Sequence, residues 1–177
     1  PGADGQVAVV AHDTRINSER FAKETAAVFA GNGIPARLFD GHRSTPALSF
    51  ALRETQAVAG VVISASHNPS TDNGFKAYWA DGGQVVPPHD KNIIAQVQTV
   101  TKIEKSDYDQ AVEQGMIQTL GAALDSDYHR QIANLSRSTA REVSIVYTPM
   151  HGVGTTSVVP ALELLGQSMR IEAARQS

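Results

Sequence analysis

Short β-branched runs alternate along this chain with longer stretches in which apolar residues recur at helical spacing. Val7 to Val10 predict a first strand. Asn17 or Ser18 then caps a helix whose apolar positions Phe21, Thr25, Val28 and Phe29 are spaced to share one face, and Gly31-Asn32-Gly33 ends it. Ile34 to Phe39 predict a second strand. Thr45 as N-cap and Pro46 at the first helical position open a second helix through Leu48, Leu52 and Thr55. Val61, Val62 and Ile63 are consecutive and β-branched, the composition of a strand covered on both faces. The resulting β-α-β-α-β order implies right-handed crossovers and helices packed on a sheet.

Beyond Gly74 the pattern becomes two-fold. Phe75, Ala77 and Trp79 alternate with Lys76 and Tyr78 as in a returning strand, so Lys76 points away from the face that takes Phe75. Asp81-Gly82-Gly83 predicts a hairpin turn with Gln84 to Val86 as a further strand, which makes the sheet mixed. Ile93, Ile94 and Val97 mark an amphipathic helix from Asp90. Residues 101–124 read as an irregular connection, and a helix from about Asp125 carries Tyr128, Ile132 and Leu135 on one face. Ser136 to Arg141 form a polar linker. A new unit begins at the strand Val143 to Tyr147, followed by a glycine-rich turn and a helix through Leu162 and Leu165, in which Pro160 fits only the first turn.

Composition narrows the class without choosing a function. Apolar content of 41%, charged content of 19% and a net charge of -3 describe an ordinary globular chain with no basic excess for nucleic acid. No run approaches the length of a membrane span, so no membrane role is expected. The absence of cysteine excludes disulfides and thiolate metal sites and is compatible with a cytoplasmic setting, which is the expected location. Pro1 to Gly5 read as a loop. Lacking an initiator Met, the chain is read as a piece of a longer protein.

Candidate chemistry concentrates at the end of the third strand, in Ser64-Ala65-Ser66-His67-Asn68-Pro69 and Asn73-Gly74-Phe75-Lys76. Ligands in open α/β sheets bind at such strand ends. Hydroxyls, an amide and an imidazole line a loop stiffened by Pro69, and Lys76 brings a cation beside it, an arrangement suited to phosphoryl transfer or proton shuttling. The competing reading is a solvated turn with a surface lysine. No Gly-x-Ser-x-Gly elbow surrounds Ser66, which argues against a serine hydrolase. Asp13-Thr14-Arg15 after the first strand resembles the Asp-(Thr/Ser)-Arg of the α-D-phosphohexomutase superfamily, and on that resemblance Arg15 could hold a phosphate or brace the serine loop; an Asp13–Arg15 loop contact or helix cap is the alternative. His12 reads as a loop or packing residue, His42 and Arg43 beside the second helix start as exposed loop residues, either of which could approach a phosphate, and His151 as a residue that orders its turn.

The string from Ser64 to Pro69, with Asn73 to Lys76, resembles the active-site serine loop of the α-D-phosphohexomutase superfamily, the phosphoglucomutases and phosphomannomutases. Tyr78 to Lys91 and Tyr147-Thr148-Pro149-Met150-His151-Gly152 resemble the branch that contains type-2 phosphoglucomutases and phosphopentomutases. The resemblance implies a three-layer α/β/α fold with a mixed, mostly parallel sheet over residues 1–138, most of a first domain, and the first strand-helix unit of a second similar domain over 139–177. It implies a phosphosugar mutase that interconverts sugar 1- and 6-phosphates through phosphorylated Ser66 and a bisphosphate intermediate. Ser66, His67 and Lys76 would be catalytic, and Arg15, Ser64 and Asn68 would bind substrate or phosphate. Magnesium would be held by the phosphate on Ser66 and by ligands outside this chain, with a sugar bisphosphate as activator. Hexose or pentose phosphates would be substrates, and the remaining mutase domains partners. A phosphopentomutase, a sugar-bisphosphate synthase and a non-catalytic phosphate-binding relative are the alternatives. By itself this stretch is expected to show no mutase turnover.

Overall fold

The computed structural model describes residues 6–171, so the loop expected over residues 1–5 lies outside them. Three parallel strands form the centre: β1 (Ala8–His12), β2 (Ala36–Phe39) and β3 (Ala59–Ile63). Helix α1 (Ser18–Gly31) crosses from β1 to β2, and α2 (Thr45–Glu54) crosses from β2 back past β1 to β3. A fourth strand, β4 (Phe75–Trp79), returns antiparallel to β3. The five-stranded sheet has the order β4-β3-β1-β2-β5, with β5 (Ile117–Leu120) parallel to β2 at the far edge. This is a three-layer α/β/α fold with a mixed, mostly parallel sheet, as the resemblance implied, and β4 is the strand that makes it mixed.

Two faces of the sheet carry separate cores because alternate residues of each strand point to opposite sides. On one face Val10, Leu38, Val61 and Ile63 pack with Ala22, Ala26 and Ala30 of α1, and Ala111 of α4 (Tyr108–Glu113) closes that layer. On the other, Val9, Ala11 and Val62 meet Leu48, Ala51 and Leu52 of α2, with Leu124 of α5 (Ala122–Ala133) beside them. Every residue of β1 is buried, since a strand flanks each edge and a helix lies over each face.

Several sequence expectations change. The cap of α2 is Ser44, whose Oγ accepts from Ala47 N at 3.3 Å, and Thr45, expected as the cap, is the first helical residue. The buried face of α1 is made of alanines, which let the helix approach the sheet closely; Phe21, Thr25, Val28 and Phe29 instead line a cleft of about 520 Å³ with Ile63 and Phe75. The connection expected over 101–124 contains α4 and β5, bounded by the left-handed Gly115 (φ 73°). Gln84 to Val86 form no strand beyond a single bridge from Gln84 to Tyr78, because Pro87 and Pro88 have no N–H to continue a ladder. Helix α3 (His89–Val97) forms, yet none of its residues is buried, and Ile94 and Val97 face solvent.

The remainder is a two-stranded parallel sheet of β6 (Ile145–Tyr147) and β7 (Met169–Ile171), joined through a 3-10 turn at Gly154–Thr156 and helix α6 (Val158–Leu164). Pro160 does lie in the first turn of α6, where its missing N–H costs nothing. Contact with the first unit runs through α5 and α6, and His129 Nε2 lies 2.7 Å from the Thr156 carbonyl. Thr14 also donates its hydroxyl to the His151 carbonyl. Among the described residues no helix is long and apolar enough to cross a membrane.

Candidate active site

Strand order sets the site. β1 lies between β2 and β3, in register His12 opposite Ile63, so the loops that leave the ends of β1 and β3 run side by side at the carboxyl edge of the sheet. Asp13 N donates to the Ile63 carbonyl at 3.1 Å and extends that pairing to the base of the second loop. Here sits the serine loop, from Ser64 to Gly74.

The base of the loop is narrow. Ser64 N donates to the Gly74 carbonyl at 2.9 Å, and a Cβ added to Gly74 would lie 2.5 Å from the Ser64 carbonyl oxygen. Only glycine allows that approach. Inside the loop, Asn68 N bonds the Ala65 carbonyl at 3.1 Å and Asp72 N bonds the Pro69 carbonyl at 3.0 Å, two successive turns. Ser66 takes a left-handed backbone with φ 55°, uncommon for a residue with a Cβ, and its amide donates to Ser64 Oγ at 3.2 Å.

Ser66 and Lys76 meet directly. The register places Lys76 opposite Val62, on the sheet face away from Phe75, and its Nζ donates to Ser66 Oγ at 2.6 Å. His67 and Asn68 are exposed on the loop, while Ser64 is buried beneath it. Thus Ser64, Ser66 and Lys76 are brought together by hydrogen bonds, and His67 and Asn68 stand at the open side.

Arg15 lies under the loop with its side chain only 11% exposed. Its Nη1 donates to the carbonyls of Pro69 at 2.5 Å and Asp72 at 3.2 Å, and its Nη2 to those of Ser66 at 2.8 Å and Asn68 at 2.6 Å. Asp13 faces Arg15 Nε at 3.4 Å and also accepts from Arg15 N and from Ser18 Oγ. Ser18 is fully buried, and its hydroxyl accepts from Asn73 Nδ2 at 2.9 Å. Of the two cap candidates, Asn17 and Ser18, the structure gives the cap position to Asn17, and no local pattern marks Asn73 as a partner of Ser18. Asn17 occupies the cap position with a left-handed backbone and no side-chain cap bond, which frees Ser18 for this network.

Arg43, His42 and His12 stand beside this network, and Arg43, expected as an exposed loop residue, is buried by its carboxylate partners. Arg43 forms bonds of 2.8 and 2.6 Å to Asp125 and one of 2.6 Å to Asp40, and its guanidinium pKa is raised chiefly by the hydrogen bond to Asp125. Burial pushes the His42 imidazole below its ordinary pKa, with nearby His12 and Arg43 acting in the same direction. His12 is buried at the end of β1 and its Nδ1 lies 2.8 Å from the Asp13 carbonyl. Among the described residues no group of three or more His, Asp or Glu is arranged to hold a metal ion.

Residues 2–104 match the family model described as phosphoglucomutase/phosphomannomutase, alpha/beta/alpha domain I. A phosphoglucomutase of Staphylococcus saprophyticus is 38% identical over 153 residues, covering 84% of this chain and 28% of that protein. A phosphopentomutase of Homo sapiens is 34% identical over 153 residues, covering 83% of this chain and 25% of its own length. A solved structure from Thermus thermophilus described as a phosphomannomutase superimposes with a TM-score of 0.80 at 28% identity, over 98% of this chain and 38% of that one. The chain therefore spans less than a third of these two curated relatives. With the family model covering more than half of its residues, the chain belongs to the phosphoglucomutase/phosphomannomutase family.

Proposed function

We propose that this chain carries the phosphoryl-donating loop of a phosphosugar mutase, with residues 1–138 as its first domain and 139–177 as the start of a second. The observation that supports this most is the 2.6 Å hydrogen bond from Lys76 Nζ to Ser66 Oγ, on a loop fixed at both ends. When Ser66 is phosphorylated, a sugar hydroxyl attacks phosphorus; the new O–P bond forms as the Oγ–P bond breaks. Lys76 donates a proton to the departing Oγ, and His67 accepts the proton of the sugar hydroxyl. Transfer of the other phosphate of the resulting bisphosphate back to Ser66 reverses these roles. Ser64 and Asn68 frame the loop that receives the phosphate.

Among the described residues, only phosphoryl oxygens on a phosphorylated Ser66 would hold magnesium, and the further ligands and the sugar-recognition groups would come from the remaining domains. When bound, it supplies charge neutralisation at the transferring group. In this reading the stretch alone shows no turnover, a sugar bisphosphate primes the enzyme, and the setting is cytoplasmic. The branch proposed is the type-2 one, on the resemblance of Tyr78 to Lys91, and the likeness to phosphopentomutases as well as phosphoglucomutases keeps pentose phosphates beside hexose phosphates as substrates; a bisphosphate synthase uses the same half-reaction.

Mass spectrometry of the Ser66 peptide from the full-length protein, before and after incubation with hexose 1,6-bisphosphate and magnesium, tests the reading, with Ser66→Ala as control. Phosphate gained on Ser66 and then passed to a hexose or pentose monophosphate is the expected result. Sugar-phosphate binding with Ser66 never modified would instead make this a phosphate-binding relative.

A further inference from the structure

Resting on the phosphoserine reading above, we infer that Arg15 is a positioning residue for phosphoryl transfer: it holds the left-handed turn at Ser66 and does not bind the sugar phosphate. A residue with a Cβ keeps such a backbone only where its surroundings impose it. At Ser66 the amide is tied to Ser64 Oγ and the carbonyl to Arg15 Nη2. The same guanidinium reaches the carbonyls of Asn68, Pro69 and Asp72, so one rigid plane joins both limbs of the loop.

The donor count decides between brace and phosphate ligand. Guanidinium has four N–H bonds on its two terminal nitrogens, and all four are committed to loop carbonyls. The plane is fixed in turn by Asp13 against Nε, and Asp13 by the buried Ser18, which also receives Asn73 at the loop exit. A lysine ammonium has three donors at one point and cannot span four carbonyls spread over seven residues. The effect falls on Ser66 Oγ, whose placement against Lys76 Nζ follows from the backbone that Arg15 holds.

The test compares Arg15→Ala and Arg15→Lys with the parent full-length protein. It reads the rate of Ser66 phosphorylation by hexose 1,6-bisphosphate and, separately, kcat and KM. In Arg15→Ala both the loading rate and kcat fall by about 100-fold while KM stays within about threefold, as expected when a reacting group is misplaced and substrate contacts are kept. Free guanidinium restores part of the loss in Arg15→Ala, ammonium does not, and Arg15→Lys stays low. Amide exchange in Arg15→Ala rises in residues 66–72 and not in β1. A raised KM with unchanged kcat overturns the inference in favour of a phosphate ligand, and full activity in Arg15→Lys overturns it by showing that the fork is not needed. Faster exchange in β1 as well as in the loop overturns it in favour of a general role in folding. If the parent loads Ser66 and Arg15→Ala loads it equally fast, this inference alone falls; if the parent never loads it, the phosphoserine reading falls with it.

Discussion

The sheet centred on β1 and the pair β6–β7 are both parallel strands linked through helices, yet only the first encloses its own core. Each residue of β1 is buried, whereas Val146 in the middle of β6 is 69% exposed. The local sequences, Ala8 to His12 and Ile145 to Tyr147, are similarly apolar, so strand composition does not explain the difference. Neighbours do. Among the described residues, β1 has a strand on each side and helices over both faces, and β6 has one strand partner and one crossover helix. A parallel strand gains its burial from the layers around it, and two strands with a single helix are too few to supply them. The serine loop stands on the enclosed part, which is why its base can be held by backbone pairing to a rigid edge.

The contrast breaks most sharply on a matched pair of substitutions in the 177-residue chain. Leu52→Ala, within the α2 layer, is expected to cost about 4 kcal/mol, and Val146→Ala less than about 0.5 kcal/mol, measured by urea unfolding of that stretch. Comparable losses in both would show that β6 is covered in solution and that the asymmetry is wrong. Next in size is the tie between α5 and the end of β2. Arg43→Met leaves Asp125 without its buried partner while the half-exposed Asp40 rehydrates, at an expected cost of about 3 kcal/mol by the same unfolding measurement. A stability change below about 1 kcal/mol would mean that the layer of α5 holds by apolar contact alone.

The smallest expected effect is a pH dependence. His42 has its pKa lowered from 6.5, mainly by burial, with His12 and Arg43 adding and Asp13 opposing. Between the lowered value and 6.5 the unfolded chain binds the proton and the folded chain does not. Stability therefore falls as pH drops through about 6.5 and levels off once the folded form is protonated too. His42→Gln is expected to lose less stability than the parent between about pH 7.5 and about pH 5, read as the change in Tm. An identical acid limb in both would remove His42 as a source.

What was legible along the chain followed from strong local signals. Val61 to Ile63 cannot be covered except in the middle of a sheet, and Ser64 to Lys76 carries its chemistry in consecutive residues. Weak local signals hid the rest. β5 is four residues long with Gln118 and Thr119 exposed, and it exists because β2 offers a free edge. On α1 the fully buried stripe is alanine, with Phe29 half-buried against the same core and Phe21 exposed, since alanine approaches the sheet more closely than phenylalanine can. The amphipathic spacing of α3 specified a helix but not a partner.

By itself the sequence determined the crossover order, the covered third strand and the polar loop with its lysine, because these depend on neighbours a few residues apart. The tertiary structure decided what lies far apart in the chain: that β1 is central, that Arg15 passes under a loop more than fifty residues away, and that Ser18 turns from helix cap to anchor of Asn73. Such contacts depend on strand order and close approach of backbones. No local pattern encodes them, since burial and hydrogen-bond partners exist only once the layers have assembled.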